Sequence, residues 1–246
     1  MDDHFGDEVA ARYDDPADPM FQAETVGRTA DVLADLAGEG RALEFAIGTG
    51  RIALPLAARG VDVHGIDLSH AMVARMRDKP GGDLPVVFGD FATTRVEGEF
   101  ALVYLVYNTI MNLTTQDAQV DCFRNAAAHL PPGGAFVVEV GVPVLRLLPP
   151  GQTAIPFRVA ADGIAYDVYD VATQAMSSNY VEATGEGEAT FRSIPFRYVW
   201  PSELDLMARL AGMRLEHRWA DWAKTPFTAE STQHVSVWRK VSPAAP

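Results

Sequence analysis

The sequence has little of several features that mark other classes of protein. Its single cysteine, Cys122, allows neither an intramolecular disulfide nor a zinc cluster, which fits a reducing compartment. Lys and Arg number 20 against 33 Asp and Glu, so the formal charge is -13, and such a surface repels nucleic-acid phosphates and anionic lipid. The longest apolar run, residues 100–107, is too short to span a bilayer as a helix, and the aspartate-rich N-terminus does not resemble a signal or transit peptide. These absences predict a cytoplasmic, acidic protein that binds neither nucleic acid nor a membrane.

The composition provides enough apolar material for a folded core. Hydrophobic residues make up 48% and charged residues 22% of the 246, as in an average soluble protein. A chain of this length holds one or two domains. The six histidines show no spacing typical of metal ligands, such as H-x-H or H-E-x-x-H, so we predict no metal site.

The first part of the chain alternates short apolar runs with helical patterns. Strands that alternate with helices at this spacing favour right-handed crossovers and a parallel, doubly wound sheet. Capping signals at Ser69, at Thr114 with Asp117, and at Ser202 with Asp205 predict where three of the helices begin. The predicted strands are residues 42–47, 61–66, 86–88, 100–106 and 135–140.

The pattern changes after residue 143. Short runs that alternate β-branched and aromatic residues with polar ones, separated by glycine turns, predict an antiparallel sheet inserted as a cap. A further helix and two strands then close the parallel sheet. We predict four segments: an N-terminal lid with the first helix (1–40), a ligand-binding core (41–142), a cap for a second ligand (143–200) and the closing helix and strands (201–241).

A glycine-rich turn follows the first predicted strand. In Gly48-Thr49-Gly50 a ligand can approach the backbone closely, because no Cβ stands in the way. The spacing Gly48-x-Gly50-x-x-Ala53 alone also satisfies the relaxed dinucleotide fingerprint. The turn therefore predicts a nucleotide or nucleoside ligand without deciding between them.

Acidic residues at the ends of three successive strands point to a cationic nucleoside. Glu44 precedes the glycine turn, where it would repel a pyrophosphate and attract an ammonium and sulfonium. Asp67 ends the second strand, where its carboxylate can accept both hydroxyls of a ribose. Asp90 ends the third strand and can accept from an adenine amino group, with Phe91 packing on the ring.

Together these motifs resemble those of the class I S-adenosylmethionine-dependent methyltransferases. Glu44-x-Ala46-x-Gly48-Thr49-Gly50 is similar to their first motif, and Gly65-Ile66-Asp67-Leu68-Ser69 to their second-strand motif. Gly89-Asp90-Phe91 resembles their third-strand acid, and residues 130–134 resemble the turn before their fifth strand. The resemblance implies a seven-stranded, mostly parallel sheet in the order 3-2-1-4-5-7-6, with strand 7 antiparallel. It also implies S-adenosyl-L-methionine as donor and S-adenosyl-L-homocysteine as product.

The cap and Tyr13-Asp14 look most like the small-molecule branch of that family, which includes glycine and amino-sugar N-methyltransferases. Two positions depart from the pattern. Ala46 stands where glycine is common, and Asn112 stands near the position where sugar N-methyltransferases tend to carry a histidine.

The predicted site has a donor-binding part and a reaction wall. Methyl transfer from a sulfonium needs alignment and exclusion of water more than a nucleophile, so no catalytic dyad is required. Tyr107 and Asn112, after the fourth strand, are predicted to form the wall around the reacting atoms, and Tyr13 to close over the donor. The predicted donor-binding residues are Tyr13, Glu44, Ala46, Gly48, Thr49, Gly50, Asp67, Leu68, Met72, Asp90, Phe91 and Val106.

The sequence predicts methyl transfer to a nitrogen or oxygen of a small molecule. One alternative is a protein of the same fold that binds the donor without methyl transfer, and another is an NAD(P)-dependent oxidoreductase built on the glycine turn. Exposed edges of the cap would suit a homodimer.

Overall fold

The computed structural model describes residues 6–14, 19–185 and 187–242. Its helices are α1 (Asp7–Arg12), α2 (Ala23–Ala37), α3 (Ala53–Ala57), α4 (His70–Arg77), α5 (Gln116–His129) and α6 (Pro201–Leu210). The strands of the first sheet are β1 (Ala42–Phe45), β2 (Val63–Asp67), β3 (Val86–Phe88), β4 (Leu102–Leu105), β5 (Ala135–Gly141), β10 (Met213–Trp219) and β11 (Gln233–Lys240). Those of the second sheet are β6 (Ala154–Ala160), β7 (Gly163–Tyr169), β8 (Ala175–Gly185) and β9 (Glu188–Arg197).

The seven-stranded sheet has the order β3-β2-β1-β4-β5-β11-β10. Strands β1 to β5 pair in parallel, whereas β11 runs antiparallel to both β5 and β10. With β10 and β11 as strands 6 and 7, this order confirms the predicted 3-2-1-4-5-7-6 topology with strand 7 antiparallel. The register places Glu44 opposite Gly65 on one side and Tyr104 on the other, at the carboxyl end of the sheet.

Apolar side chains cover both faces of the central strands. On one face, Phe45 and Phe136 pack in a cluster with Phe123 of α5 and Trp238 of β11. On the other face, Leu102 and Tyr104 of β4 pack in a cluster with Leu33 of α2 and with residues of α3. Burial on both faces explains why these strands are nearly continuous apolar runs in the sequence. None of the helices in the described residues is both long and apolar enough to cross a membrane.

The second sheet is the predicted antiparallel cap, with its four strands paired in chain order. Strand β8 includes Ser177 and Ser178, which pair with β7 and β9 although serine has little preference for strands. Strand β7 ends at Tyr169, since Asp170 accepts hydrogen bonds from the Ala172 backbone and the Thr173 hydroxyl and turns the chain.

Two of the three predicted helix caps are wrong. Ser69 does accept a hydrogen bond from the Met72 N–H at 3.3 Å. At α5, however, the capping hydroxyl belongs to Thr115 rather than Thr114, and it accepts from the Ala118 N–H at 3.2 Å. Helix α6 begins at Pro201, whose fixed φ suits the first helical position, so Ser202 lies inside the helix.

The Asp205 side chain faces the neighbouring strands instead of the start of α6. It accepts hydrogen bonds from the Arg218 guanidinium at 2.8 Å and from the Trp238 indole at 2.9 Å. These contacts fix α6 against β10 and β11.

Candidate active site

The glycine turn after β1 contains three residues with left-handed backbone conformation. Their φ angles are 57° at Ala46, 56° at Gly48 and 75° at Gly50. A Cβ on Gly50 would lie 2.7 Å from the Met76 Cγ, so close packing requires glycine there. A left-handed conformation costs a residue with a Cβ about 1–2 kcal/mol, which explains why glycine is common at the position of Ala46.

Asp67, at the end of β2, holds this turn from the next strand. Its Oδ2 accepts a hydrogen bond from the Gly48 N–H at 2.7 Å, and its Oδ1 accepts from the Ser69 N–H at 2.7 Å. The residue is only 7% exposed, and it lines the cavity beside the turn. Because each carboxylate oxygen has more than one lone pair, both oxygens can accept further hydrogen bonds from a ligand.

Glu44 is a buried carboxyl group at the end of β1. It is 3% exposed and accepts a hydrogen bond from the Tyr104 hydroxyl at 2.8 Å. Burial raises its pKa to about 8, although the Tyr104 hydroxyl and the nearby Arg51 guanidinium act to lower it. Glu44 and Arg51 both line a niche of about 30 Å³, so one carboxyl group and one guanidinium face the same small space. Such a pair matches the ammonium and carboxylate of an amino acid.

The turn after β4 is strained and held by a buried acid. Tyr107 and Asn108 are consecutive non-glycine residues with φ of 57° and 62°. Glu139 of β5 accepts hydrogen bonds from the Tyr107 N–H at 3.0 Å and from the Trp222 indole at 2.7 Å. The Asn108 Oδ1 accepts from the Gly141 N–H at 2.7 Å. Backbone strain of this kind persists where surrounding contacts fix it, and it is frequent at functional sites.

Sequence reasoning missed Glu139. The sequence does hold one signal that could have found it: Glu139 is the one acid within the apolar run of β5. Its two neighbours, Val138 and Val140, are both buried. A charged residue in such a run is rarely buried without partners.

Hydrogen bonds and an ion pair hold the N-terminal segment, residues 6–14 and 19–22, over the glycine turn. Asp14 accepts a hydrogen bond from the Thr49 hydroxyl at 2.6 Å and forms an ion pair with Lys79 at 2.6 Å. Arg51 donates to the Met20 carbonyl at 2.8 Å. These bonds bring Tyr13 to the mouth of the site, where burial raises its pKa to about 12.

Aromatic rings surround the Arg51 guanidinium in the same region. The Phe21 ring lies edge-on to both Tyr13 and Tyr107, with ring centroids 5.7 and 6.2 Å away. The Arg51 guanidinium lies 5.0 Å from the Tyr107 ring centroid and 5.3 Å from that of Phe21. The N-terminal segment and the strained turn after β4 therefore form one wall of the site.

A cavity of about 320 Å³ lies between the glycine turn, this wall and the cap. Tyr180, Ile194 and Phe196 of the cap contribute to its lining. Of the predicted site residues, those that line it are Tyr13, Ala46, Gly48, Asp67, Met72, Phe91, Tyr107 and Asn112. Those that line the adjoining 30 Å³ niche include Glu44, Thr49 and Val106.

Three predicted donor-binding residues, Gly50, Leu68 and Asp90, are not among the described residues that line either space. Gly50 packs against α4, and the Asp90 Oδ1 accepts a hydrogen bond from the Ala92 N–H at 2.8 Å. Their contacts with a donor remain predictions.

A second cavity, of about 540 Å³, lies under the cap. Its lining comes from residues 141–144 after β5 and from side chains of β6 to β9. Asn108 and Phe196 line both cavities, so the two spaces adjoin at these side chains. Within the described ranges, no three His, Cys, Asp or Glu residues gather in a way that could hold a metal ion, and the prediction of no metal stays a prediction.

The doubly wound sheet, the glycine turn and the acids at the strand ends define a nucleoside-binding α/β protein, and comparison with known proteins gives its family. The sequence profile of the methyltransferase domain matches residues 42–134. The structure of the CcbJ methyltransferase from Streptomyces caelestis is 34% identical, covers 97% of this chain and 98% of that chain, and gives a TM-score of 0.84. The cypemycin N-terminal methyltransferase of a Streptomyces species is 26% identical over 201 residues, 79% of this chain and 81% of that protein.

The same fold occurs in an S-adenosylmethionine-dependent methyltransferase from Clostridium acetobutylicum, which is 14% identical in sequence. The match covers 96% of this chain and 98% of that chain and gives a TM-score of 0.75. The chain belongs to the S-adenosylmethionine-dependent methyltransferases. This membership favours a methyltransferase over the NAD(P)-dependent oxidoreductase that the spacing of the glycine turn alone also allows.

Proposed function

We propose that the protein transfers a methyl group from S-adenosylmethionine to a nitrogen or oxygen of a small molecule that binds under the cap. The observation that carries this proposal is the pair of adjoining cavities. One lies at the glycine turn and the other under the cap, and Asn108 and Phe196 line both. An acceptor in the cap cavity would meet the donor across these two side chains.

The residues of the smaller cavity and its niche fit the donor. A space of about 320 Å³ lies within the usual range for small-ligand sites. The Asp67 carboxylate is placed to accept from ribose hydroxyls, and Phe91 and Met72 supply apolar surface for an adenine ring. Glu44 and Arg51 match the ammonium and carboxylate of the methionine part. When bound, S-adenosylmethionine supplies a methyl group already activated by its sulfonium.

The protein's contribution is alignment and exclusion of water. Tyr13 and the N-terminal segment cover the glycine turn, while Tyr107 and Asn112 border the side from which an acceptor would come. Amide and hydroxyl groups at this wall can orient an acceptor amine or hydroxyl by hydrogen bonds. Neither a nucleophile nor a metal is needed for this chemistry.

A small acceptor is supported by the size of the cap cavity and by the charge of the chain. A cavity of about 540 Å³ suits a drug-sized molecule, and the formal charge of -13 opposes nucleic acid. Among proteins of this fold, KedS8 is named as a sugar N-methyltransferase and MtfA as a glycopeptide N-methyltransferase, so transfer to nitrogen is known within the fold.

The proposal is tested by incubating the protein with S-adenosylmethionine and a panel of amines and phenols, with S-adenosylhomocysteine and methylated product followed by mass spectrometry. Product formation that depends on the acceptor supports it. Donor binding without consumption across the panel would favour the alternative, a protein of this fold that does not transfer the methyl group.

The pKa of Glu44 gives a separate prediction about donor binding. With a pKa of about 8, Glu44 is mostly protonated at pH 7 in the ligand-free protein. An ammonium in the niche favours the carboxylate, so binding should release about one proton per molecule of S-adenosylhomocysteine. Calorimetry at pH 7 in phosphate and in Tris measures this release, because the two buffers differ in ionisation enthalpy.

Glu44→Gln should bind without the buffer-dependent heat, whereas Glu39→Gln, at an exposed acid before β1, should behave like the wild type. Equal heats in the two buffers for the wild type would contradict the release of a proton from Glu44 on binding.

A further inference from the structure

The cap cavity has a largely apolar lining that includes one carboxyl group. Most of its lining consists of aliphatic and aromatic side chains and of backbone after β5. Among the described residues that line it, Asp167 of β7 is the one with a formally charged side chain. The proposed function leaves this residue without a role.

Asp167 is held in place by neutral partners. The Ser178 hydroxyl donates to its Oδ1 at 2.6 Å, and the Tyr169 hydroxyl donates to its Oδ2 at 3.3 Å. Both partners are buried. Burial raises the pKa of Asp167, and these two hydrogen bonds lower it in part. The ion pairs found within residues 6–14, 19–185 and 187–242 do not include Asp167.

The register of the cap places Asp167 at a defined distance from the donor cavity. Asp167 lies opposite Ser178, which lies opposite Ile194, and Ile194 lines the donor cavity. Neighbouring strands are about 4.8 Å apart, so Asp167 stands about 10 Å across the sheet from Ile194. Tyr180 of β8, which also lines the donor cavity, lies opposite Ala165, two residues along β7 from Asp167. A group bound to Asp167 is therefore separated from these two lining residues by roughly the length of a ring system.

We propose that Asp167 anchors a basic nitrogen of the methyl acceptor, and that the acceptor is a largely apolar amine. Asp167 is half-buried, and its carboxylate has only neutral hydrogen-bond partners in the described residues. Such a group gains from a cation, because a charge-assisted hydrogen bond is stronger than a neutral one and offsets the cost of removing the charge from water. The apolar walls bind the rest of the molecule. Given the spacing, the anchored nitrogen orients the acceptor and lies away from the atom that faces the donor. This inference rests on the proposed function, since it concerns the acceptor cavity of the same site.

The test compares tryptamine with tryptophol. Both have an indole ring and a side chain of the same length, but tryptamine ends in an ammonium group and tryptophol in a hydroxyl group. Binding to the protein saturated with S-adenosylhomocysteine is measured by saturation-transfer NMR at millimolar concentration and neutral pH. We expect the wild type to bind tryptamine at least about tenfold more tightly than tryptophol. In Asp167→Asn this preference should disappear, with little change for tryptophol, because asparagine keeps the shape and the Ser178 hydrogen bond.

Asp162→Asn is the matched control, because it removes the same charge from an exposed turn of the cap and should keep the preference. Equal affinities in the wild type, no binding of tryptamine, or a preference that survives in Asp167→Asn would each overturn the inference. The comparison of tryptamine with tryptophol on the wild-type protein tests the inference even if Asp167→Asn does not fold. Binding of S-adenosylhomocysteine, measured on the same samples, separates the outcomes: if it fails, the proposed donor site is wrong, whereas normal binding without a cation preference contradicts the role of Asp167 alone.

Discussion

Asp67→Ala is expected to weaken binding of S-adenosylhomocysteine by about 1.5–3 kcal/mol, or roughly 10- to 150-fold in Kd, the range for hydrogen bonds to a charged group. The Asp67 carboxylate is expected to support ligand binding in two ways. It faces the cavity, and it fixes the glycine turn through the Gly48 N–H and the loop after β2 through the Ser69 N–H. Calorimetric titration of the folded variant measures the loss.

Asp62→Ala is the matched control for Asp67→Ala. Asp62 precedes the same strand at its opposite end, and its side chain is 62% exposed and paired with Arg41 and His64. Its removal should leave the affinity for S-adenosylhomocysteine unchanged. If a folded Asp67→Ala protein also bound with unchanged affinity, the ribose assignment would be wrong.

Arg197→Met is expected to lower the free energy of unfolding by about 3 kcal/mol, the lower end of the range for breaking a buried ion pair. Arg197, at the end of β9, is 4% exposed and pairs with Glu203 of α6 at 2.7 Å. It also donates to Gln119 of α5 at 2.5 Å and to Gln174, before β8, at 3.0 Å. The network therefore joins the cap to two helices of the core, and without Arg197 the Glu203 carboxylate, whose side chain is 14% exposed, loses its cation.

Urea unfolding tests this prediction with two further variants. Arg158→Met removes an exposed ion pair within the cap and should change stability little. Combining Arg197→Met with Glu203→Met should recover part of the loss, because no unpaired charge then stays buried. Equal losses for Arg158→Met and Arg197→Met would contradict the account of the network.

The pKa of Glu203 adds a pH dependence to the same network. Burial alone would raise this pKa, but hydrogen bonds from Arg197, Gln174 and Gln116 lower it below its usual value. A carboxyl group with a depressed pKa in the folded state contributes stability above its unfolded pKa and loses it as the pH falls through the folded one. The contribution of this network to the free energy of unfolding is therefore expected to fall in acid, which urea unfolding at neutral and acid pH measures for the wild type and Glu203→Met.

The parallel sheet could be predicted from the sequence because its signals are local. Buried strands such as β4 and β5 are nearly continuous apolar runs, and Gly134 and Gly141 mark the two ends of β5. The acids at the ends of β1 and β2 could be placed near each other because the carboxyl ends of parallel strands meet at one edge. Glu44 and Asp67 do face adjoining spaces there.

Features that depend on distant partners could not be predicted. The strained conformation of Tyr107 and Asn108 has no glycine to signal it, and the acid that holds it, Glu139, lies 32 residues from Tyr107. The register of the cap strands places Asp167 in the lining of the cap cavity. Arg197 donates a hydrogen bond to Gln119, which lies 78 residues away in the sequence. Such contacts follow from how the cap docks on the core, which no local pattern encodes.

A crystal structure with S-adenosylhomocysteine tests most directly whether the donor lies at the glycine turn and faces the cap cavity. We expect the ribose on Asp67, the amino-acid end between Glu44 and Arg51, and the sulfur directed toward Asn108 and Phe196. A product molecule bound under the cap, or one whose sulfur points away from those two side chains, would contradict this placement.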